Sequence, residues 1–207
     1  MLRIALTKGR IEKNAVELIK KCGYDLSDYD AKNRRLIVTA GNLEIVLAKA
    51  ADVITYIERG VCDIGIVGRD TILESAREFY ELLDLGFGKC RFALAGIKGK
   101  NFYNGYTHKV VATKYPNVAK QYFMTKGIDA EIVKIEGSVE LAPLLEMADA
   151  IVDIVETGAT LVENGLEVYE DISYISARCI VNIASMKLKN TEISEFISKL
   201  RDQLEEK

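Results

Sequence analysis

Histidine is almost missing from this chain of 207 residues: His108 is the only one. A histidine-based nucleophile triad and a histidine-rich zinc centre are therefore excluded, because each needs imidazole as base or ligand. His108 sits among polar residues and reads as a surface side chain. Cysteine is sparse too. The four cysteines, at 22, 62, 90 and 179, form no Cys-x-x-Cys pair. They read as reduced, mostly buried thiols of a cytoplasmic protein, and no resident metal site is expected. With only two prolines there is no proline-rich linker, and no repeat or low-complexity run interrupts the chain. No apolar stretch approaches the roughly 20 residues that cross a membrane. The N-terminal Met1–Leu6 is too short an apolar run for a signal peptide, and Lys8 and Arg10 follow it directly. A net charge of −3, with no massed basic segment, excludes a nucleic-acid footprint. What remains is a soluble globular chain, 49% apolar and long enough to bury a real core.

Strand and helix signals alternate along it. Short apolar strands are expected at Arg3–Leu6, Leu36–Thr39, Leu43–Ala48, Asp63–Gly68, Glu81–Leu85, Arg91–Gly96, Lys109–Ala112, Ala130–Ile135 and Ala150–Val155. Helical periodicity covers Ile11–Cys22, Ala51–Arg59, a run from Thr71, Pro116–Lys126, Val139–Leu145 and Glu192–Glu206. Val168–Ile172 and Tyr174–Ser185 read as extended. Two α/β cycles in this length point to two small lobes with a cleft between them, the usual place for a ligand at strand carboxyl ends.

Two turns carry anion-binding chemistry. The first is Asp149-Ala-Ile-Val-Asp-Ile-Val-Glu-Thr-Gly-Ala-Thr-Leu161. A β-branched strand bearing Asp153 ends at Glu156 and empties into Thr157, Gly158, Ala159 and Thr160. Successive backbone N–H groups at a helix start cradle a phosphate, and the two threonine hydroxyls add donors. Carboxylates beside such a nest point to a phosphorylated sugar, because their place is on ribose hydroxyls or a hydrated Mg²⁺. Ordinary capping of a helix explains the small residues equally well. The second turn is Leu6-Thr-Lys-Gly-Arg10, which sets a mobile ammonium and a planar guanidinium fork at a strand-to-helix junction. Arg34-Arg35 adds a cationic pair before a strand, which by itself reads as a charged strand edge that discourages aggregation. Gly68 either admits a ligand or packs strand against helix, and Ser138 reads as an N-cap. An acidic, hydroxyl-rich turn in one lobe and a cationic turn in the other match a substrate with phosphates at both ends and a sugar between.

With these motifs the chain resembles the ATP phosphoribosyltransferase family in its short form. The resemblance runs through Leu6–Arg10, Arg34–Ile37, Asp52–Gly60, Asp63–Gly68, Val111–Pro116, Gly137–Pro143 and Asp149–Leu161, and so covers essentially the whole length. It implies an α/β, two-lobed fold like type II periplasmic binding proteins, with lobe I at 1–90 plus 178–207 on the ATP side. Lobe II, at 91–177, would carry the phosphoribosyl loop. The implied reaction is attack by adenine N1 of ATP on C1 of phosphoribosyl pyrophosphate, the first step of histidine biosynthesis. The resemblance also implies Mg²⁺ carried with the substrates and a histidyl-tRNA-synthetase-like regulatory subunit. The expected assembly is a hetero-octamer built on catalytic-subunit dimers. Lys8, Arg10 and Arg34 are expected on the pyrophosphate as the catalytic cations. Asp153, Glu156, Thr157, Gly158, Ala159 and Thr160 would hold the phosphoribosyl group, and Lys49 and Asp70 would lie near the ATP. Lys49 stands where the family pattern has arginine. The alternative is a non-catalytic module of the same fold that senses a nucleotide or sugar phosphate.

Overall fold

The computed structural model describes residues 1–105 and 108–205. Glu206, the last residue of the expected terminal helix, lies outside them. The chain divides into two compact units: Met1–Gly88 with Ser176–Lys207, and Lys89–Ile175.

In chain order the first stretch contains β1 (Leu2–Thr7), α1 (Arg10–Lys21), α2 (Ser27–Asp30), β2 (Ile37–Ala40), β3 (Leu43–Ala48), α3 (Ala50–Glu58), β4 (Ile64–Gly68), α4 (Arg69–Ser75) and β5 (Tyr80–Asp84). The second unit contains β6 (Cys90–Ile97), β7 (Lys109–Thr113), α5 (Pro116–Lys126), β8 (Ala130–Lys134), α6 (Leu141–Leu144), β9 (Ala150–Val155), α7 (Ala159–Glu163) and β10 (Leu166–Ile175). The chain returns to the first unit with β11 (Ala177–Val181), α8 (Ile183–Leu188) and α9 (Asn190–Glu205).

The first unit is built on a six-stranded sheet in the order β2-β3-β1-β4-β11-β5. Its central strands β3, β1 and β4 are parallel, which fits the near-continuous apolar run of β4, buried at every position. Helices α1 and α9 share a core with one face of the sheet through Ala15, Leu18, Ile19, Ile193, Phe196 and Leu200. Val53, Ile54 and Ile57 of α3 pack with Ala5, Val67 and Ile180 of the sheet.

The second unit has a five-stranded sheet in the order β10-β6-β9-β7-β8. Strands β9, β7 and β8 are parallel, whereas β6 and β10 run antiparallel to their neighbours. Because strand side chains alternate, Val111 and Val152 join the aromatic core with Phe92, Phe102 and Phe123. Ala112 and Ile151 point the other way, toward Val139, Ala142 and Leu161. Pro116 opens α5 and left-handed Gly127 closes it, as the sequence predicts.

Three local expectations fail. Tyr174–Ser185 is not extended throughout: β11 ends at Val181 and α8 follows. Asn182 is its N-cap, accepting from Ser185 N at 2.8 Å. Helix α6 is a single turn, shorter than Val139–Leu145, and Ser138 does not cap it; Ser138 offers only its carbonyl, to Leu141 N at 3.3 Å. The four-residue α2 is too short to leave a periodic signal.

Candidate functional site

In the first unit, parallel pairing aligns the carboxyl ends of three strands. Thr7 of β1 is opposite Ala48 of β3, and Leu6 is opposite Ile66 of β4. Lys8, Gly9 and Arg10 follow the first end, Lys49 the second, and Arg69 and Asp70 the third. Strand β2 is antiparallel to β3, so the turn carrying Arg34 meets the same edge. Lys8, Arg10, Arg34, Lys49 and Asp70 thus collect on one sheet edge, although they are scattered between positions 8 and 70 of the sequence. The edge is fixed by hydrogen bonds to strand carbonyls. Lys8 N donates to Ala48 O at 2.9 Å, and Thr7 Oγ1 donates to Ile66 O at 3.0 Å.

Gly9 takes φ 102 and ψ −134 as the N-cap of α1, a conformation suited to glycine, and its N–H donates to Glu12 Oε2 at 3.2 Å. Arg10 is therefore the first residue of a 12-residue helix, at the end where the helix dipole is positive. Lys8, Arg34 and Lys49 are exposed and make no ion pair among the described residues. Asp70 is half-buried and accepts from Thr71 Oγ1 at 3.3 Å. A Cβ built on Gly68 would lie 2.1 Å from Asp70 Oδ1, so the space at Gly68 is filled by that carboxylate.

In the second unit the corresponding edge is formed by β9, β7 and β8. Thr113 ends β7, fully buried, with Oγ1 donating to Val152 O at 2.6 Å and accepting from Tyr115 N at 2.9 Å. Beyond β9 the loop is open: Glu156, Thr157, Ala159 and Thr160 are exposed. Gly158 adopts φ 81 and ψ 2, the left-handed turn that starts α7, and Thr157 Oγ1 accepts from Ala159 N at 3.3 Å. The N–H groups of Thr157 and Gly158 have no acceptor among the described residues. Buried Leu161 anchors α7, and Asn164 Nδ2 donates to Thr160 O at 2.8 Å. The loop therefore offers free donors on a fixed base.

Asp153 lies in β9 opposite Ala93 and is half-buried on the face shared by Ile151 and Val155. Burial pushes its carboxyl up to about 6, the Ile154 N–H pulls down, Glu140 pushes up and Lys114 pulls down. A native pKa above the unfolded value of about 3.9 means that the folded state binds the extra proton. The stability cost is absent below pH 4, grows through pH 6 and is complete above it. Asp153→Asn should then raise the melting temperature by roughly 5 °C at pH 8, from about 2 kcal/mol, and leave it unchanged at pH 4. Calorimetric melts at the two pH values check this.

Among the described residues no group of three or more His, Cys, Asp or Glu side chains is placed to hold a metal ion. No helix is long and apolar enough to cross a membrane. His108 is exposed, with Nε2 3.1 Å from Glu131 Oε2. Burial raises the Cys62 and Cys179 thiols to about 11 and about 12, so neither is a thiolate at neutral pH.

Comparison with known proteins places these features in a family. The model of the family described as "HisG: ATP phosphoribosyltransferase" matches residues 49–202. A relative named ATP phosphoribosyltransferase from Clostridium kluyveri is 60% identical, over 99% of this chain and 94% of its own length. One of the same name from Clostridium acetobutylicum is 56% identical, over 99% and 96%. Among solved structures, the ATP phosphoribosyl transferase (HisG:HisZ) complex from Thermotoga maritima contains a chain of 34% identity, with a TM-score of 0.85 and full coverage of both chains. The periplasmic aliphatic sulphonate binding protein SsuA from Escherichia coli aligns at a TM-score of 0.59 over 98% of this chain and 72% of its own, with 12% identity. That likeness shows the fold alone: an α/β architecture of the periplasmic-binding-protein kind.

Proposed function

The chain belongs to the ATP phosphoribosyltransferase family, and from that membership we infer how its two strand edges divide the work. The activity is a pentosyl transfer. N1 of the ATP adenine bonds to C1 of phosphoribosyl pyrophosphate, the C1–O bond breaks, and pyrophosphate leaves with the bonding electron pair. The product is N1-(5-phosphoribosyl)-ATP, at the entry to histidine biosynthesis. Identity of 60% over nearly the whole chain to a relative of that name is the observation that carries this assignment. The sensing alternative has no comparable support.

Adenine N1 attacks with a lone pair and has no proton to lose, so no general base is needed. A chain with one exposed histidine, just before β7, is adequate to that chemistry. What the reaction demands is alignment of the reactants and charge stabilisation on the leaving group. In the first unit, Lys8, Arg10 and Arg34 supply cations for the pyrophosphate, while Lys49 and Asp70 face the ATP. In the second, Thr157 to Thr160 hold the 5-phosphate through free N–H and hydroxyl groups, and Asp153 and Glu156 take the ribose hydroxyls. Mg²⁺ enters as the counter-ion of the substrates' polyphosphates, which supply its oxygen ligands. The chain works in the cytoplasm, where its thiols stay reduced.

The partner is a histidyl-tRNA-synthetase-like regulatory subunit in a hetero-octamer with catalytic-subunit dimers. The Thermotoga complex, which pairs a similar chain with HisZ, supports that reading. The test is direct: the purified chain with ATP, phosphoribosyl pyrophosphate and Mg²⁺, with and without a regulatory subunit of that kind. Pyrophosphate should appear together with phosphoribosyl-ATP. Absence of both products in both mixtures would refute the transferase.

A further inference from the structure

We propose that Lys114 is an additional ligand of the phosphoribosyl 5-phosphate, completing the loop at Thr157–Thr160 from the neighbouring strand. The inference rests on the phosphate-binding reading of that loop. Lys114 immediately follows β7, and the parallel register that sets Ala112 opposite Ile151 and Thr113 opposite Val152 carries on to set Lys114 beside Asp153. Side chains alternate along both strands. Ala112, Ile151 and Asp153 lie on the face that receives Leu161 of α7, and Lys114, one residue past the end of β7, is close enough for its charge to act on Asp153. The loop before α7 opens at this end.

Its seat is rigid, because buried Thr113 is tied to Val152 O and Tyr115 N at 2.6 and 2.9 Å. A lysine beside Asp153, whose carboxyl also feels Glu140, has a carboxylate within reach of its charge. Lys114 is nevertheless exposed and forms no ion pair among the described residues, although its charge acts on both Asp153 and Glu136. Lys134, directly opposite Thr113 on β8, behaves differently: it alternates with Ala130 and Ile132 toward the aromatic core and pairs with Glu136 at 2.6 Å. One strand-end lysine is paired within the protein, and the other is exposed at the end of the sheet from which the loop after β9 leaves. A phosphomonoester there would receive backbone N–H groups from the loop and a mobile point charge from Lys114, the division of labour seen where a lysine serves a phosphate nest.

Calorimetric titration of the full chain with phosphoribosyl pyrophosphate, ribose 5-phosphate and ATP decides the matter. Lys114→Ala should weaken the first two about tenfold, the scale of one lost charge-assisted hydrogen bond, and leave ATP within about twofold. Lys114→Arg should restore most of the affinity, and Lys134→Ala should bind like the parent. Unchanged phosphoribosyl pyrophosphate affinity in Lys114→Ala overturns the proposal. So does a loss confined to phosphoribosyl pyrophosphate with ribose 5-phosphate unaffected, which would move the contact to the pyrophosphate. If the parent chain binds neither sugar phosphate, the reading of the loop itself is refuted, a result distinct from failure of Lys114 alone.

Discussion

Arg10→Ala should lower kcat by about 10²–10³-fold while changing the KM for phosphoribosyl pyrophosphate by much less. The asymmetry follows from where the charge develops. In the ground state the pyrophosphate is already neutralised in part by Mg²⁺, and one guanidinium adds little. As the C1–O bond breaks, a further negative charge appears on the bridging oxygen, and a planar fork of donors gains most at that moment. Arg10 is the first residue of α1, and Gly9 at φ 102 sets the angle at which the chain enters that helix. The fork and the positive helix end therefore act together. Arg10→Lys keeps the charge and loses the fork, so it should fall between the parent and the alanine variant. Steady-state kinetics with each substrate varied in turn separate the two constants. An unchanged kcat in Arg10→Ala would remove Arg10 from the reaction.

The residues of this edge are individually visible in the sequence, yet their gathering is not. Lys8, Arg10, Arg34, Lys49 and Asp70 each follow or precede a strand whose apolar run is easy to read. What brings them together is the order β2-β3-β1-β4, and no local signal specifies which strand lies beside which. The loop from Glu156 to Thr160 is the opposite case. Its chemistry is contiguous, so strand, left-handed glycine and helix start can be read from one stretch. Gly68 shows why a single glycine is ambiguous: the group that needs its space is the side chain of Asp70, two residues on. Lys114 is hidden in an ordinary polar turn, and only the register of β7 against β9 brings it beside Asp153. Helix α8 escapes because its apolar residues continue the pattern of β11, and the capping Asn182 is the one mark of the change.

The least legible feature is the one whose loss should be most damaging to stability. Asp63 is buried just before β4, yet all three of its side-chain partners lie far from it in sequence. Oδ2 accepts from Arg3 N at 2.9 Å and Lys189 Nζ at 2.8 Å, and Oδ1 accepts from Ser185 Oγ at 2.8 Å. The carboxylate thereby ties β1 and the α8–α9 segment to the start of β4. Burial alone would raise its pKa, but the bonds from Lys189, the Arg3 N–H and Ser185 outweigh it and hold the carboxyl below its ordinary range. Asp63→Ala removes the acceptor and leaves a backbone N–H and a hydroxyl unsatisfied beside a lysine that has lost its counter-charge. That should cost about 3 kcal/mol, or roughly 10 °C in melting temperature for a chain of this size. Asp63→Asn keeps the shape and one acceptor oxygen and should lose less. The pH dependence has a definite sign. Because the native pKa is depressed, the unfolded chain takes up the proton first, so the contribution is complete above about pH 4 and disappears as pH falls through the lower native value. Parent and Asp63→Ala melting curves should therefore stay parallel from pH 8 to pH 5 and converge in stronger acid. A gap that persists undiminished below pH 3 would show that the lost packing, and not the charge, accounts for the difference.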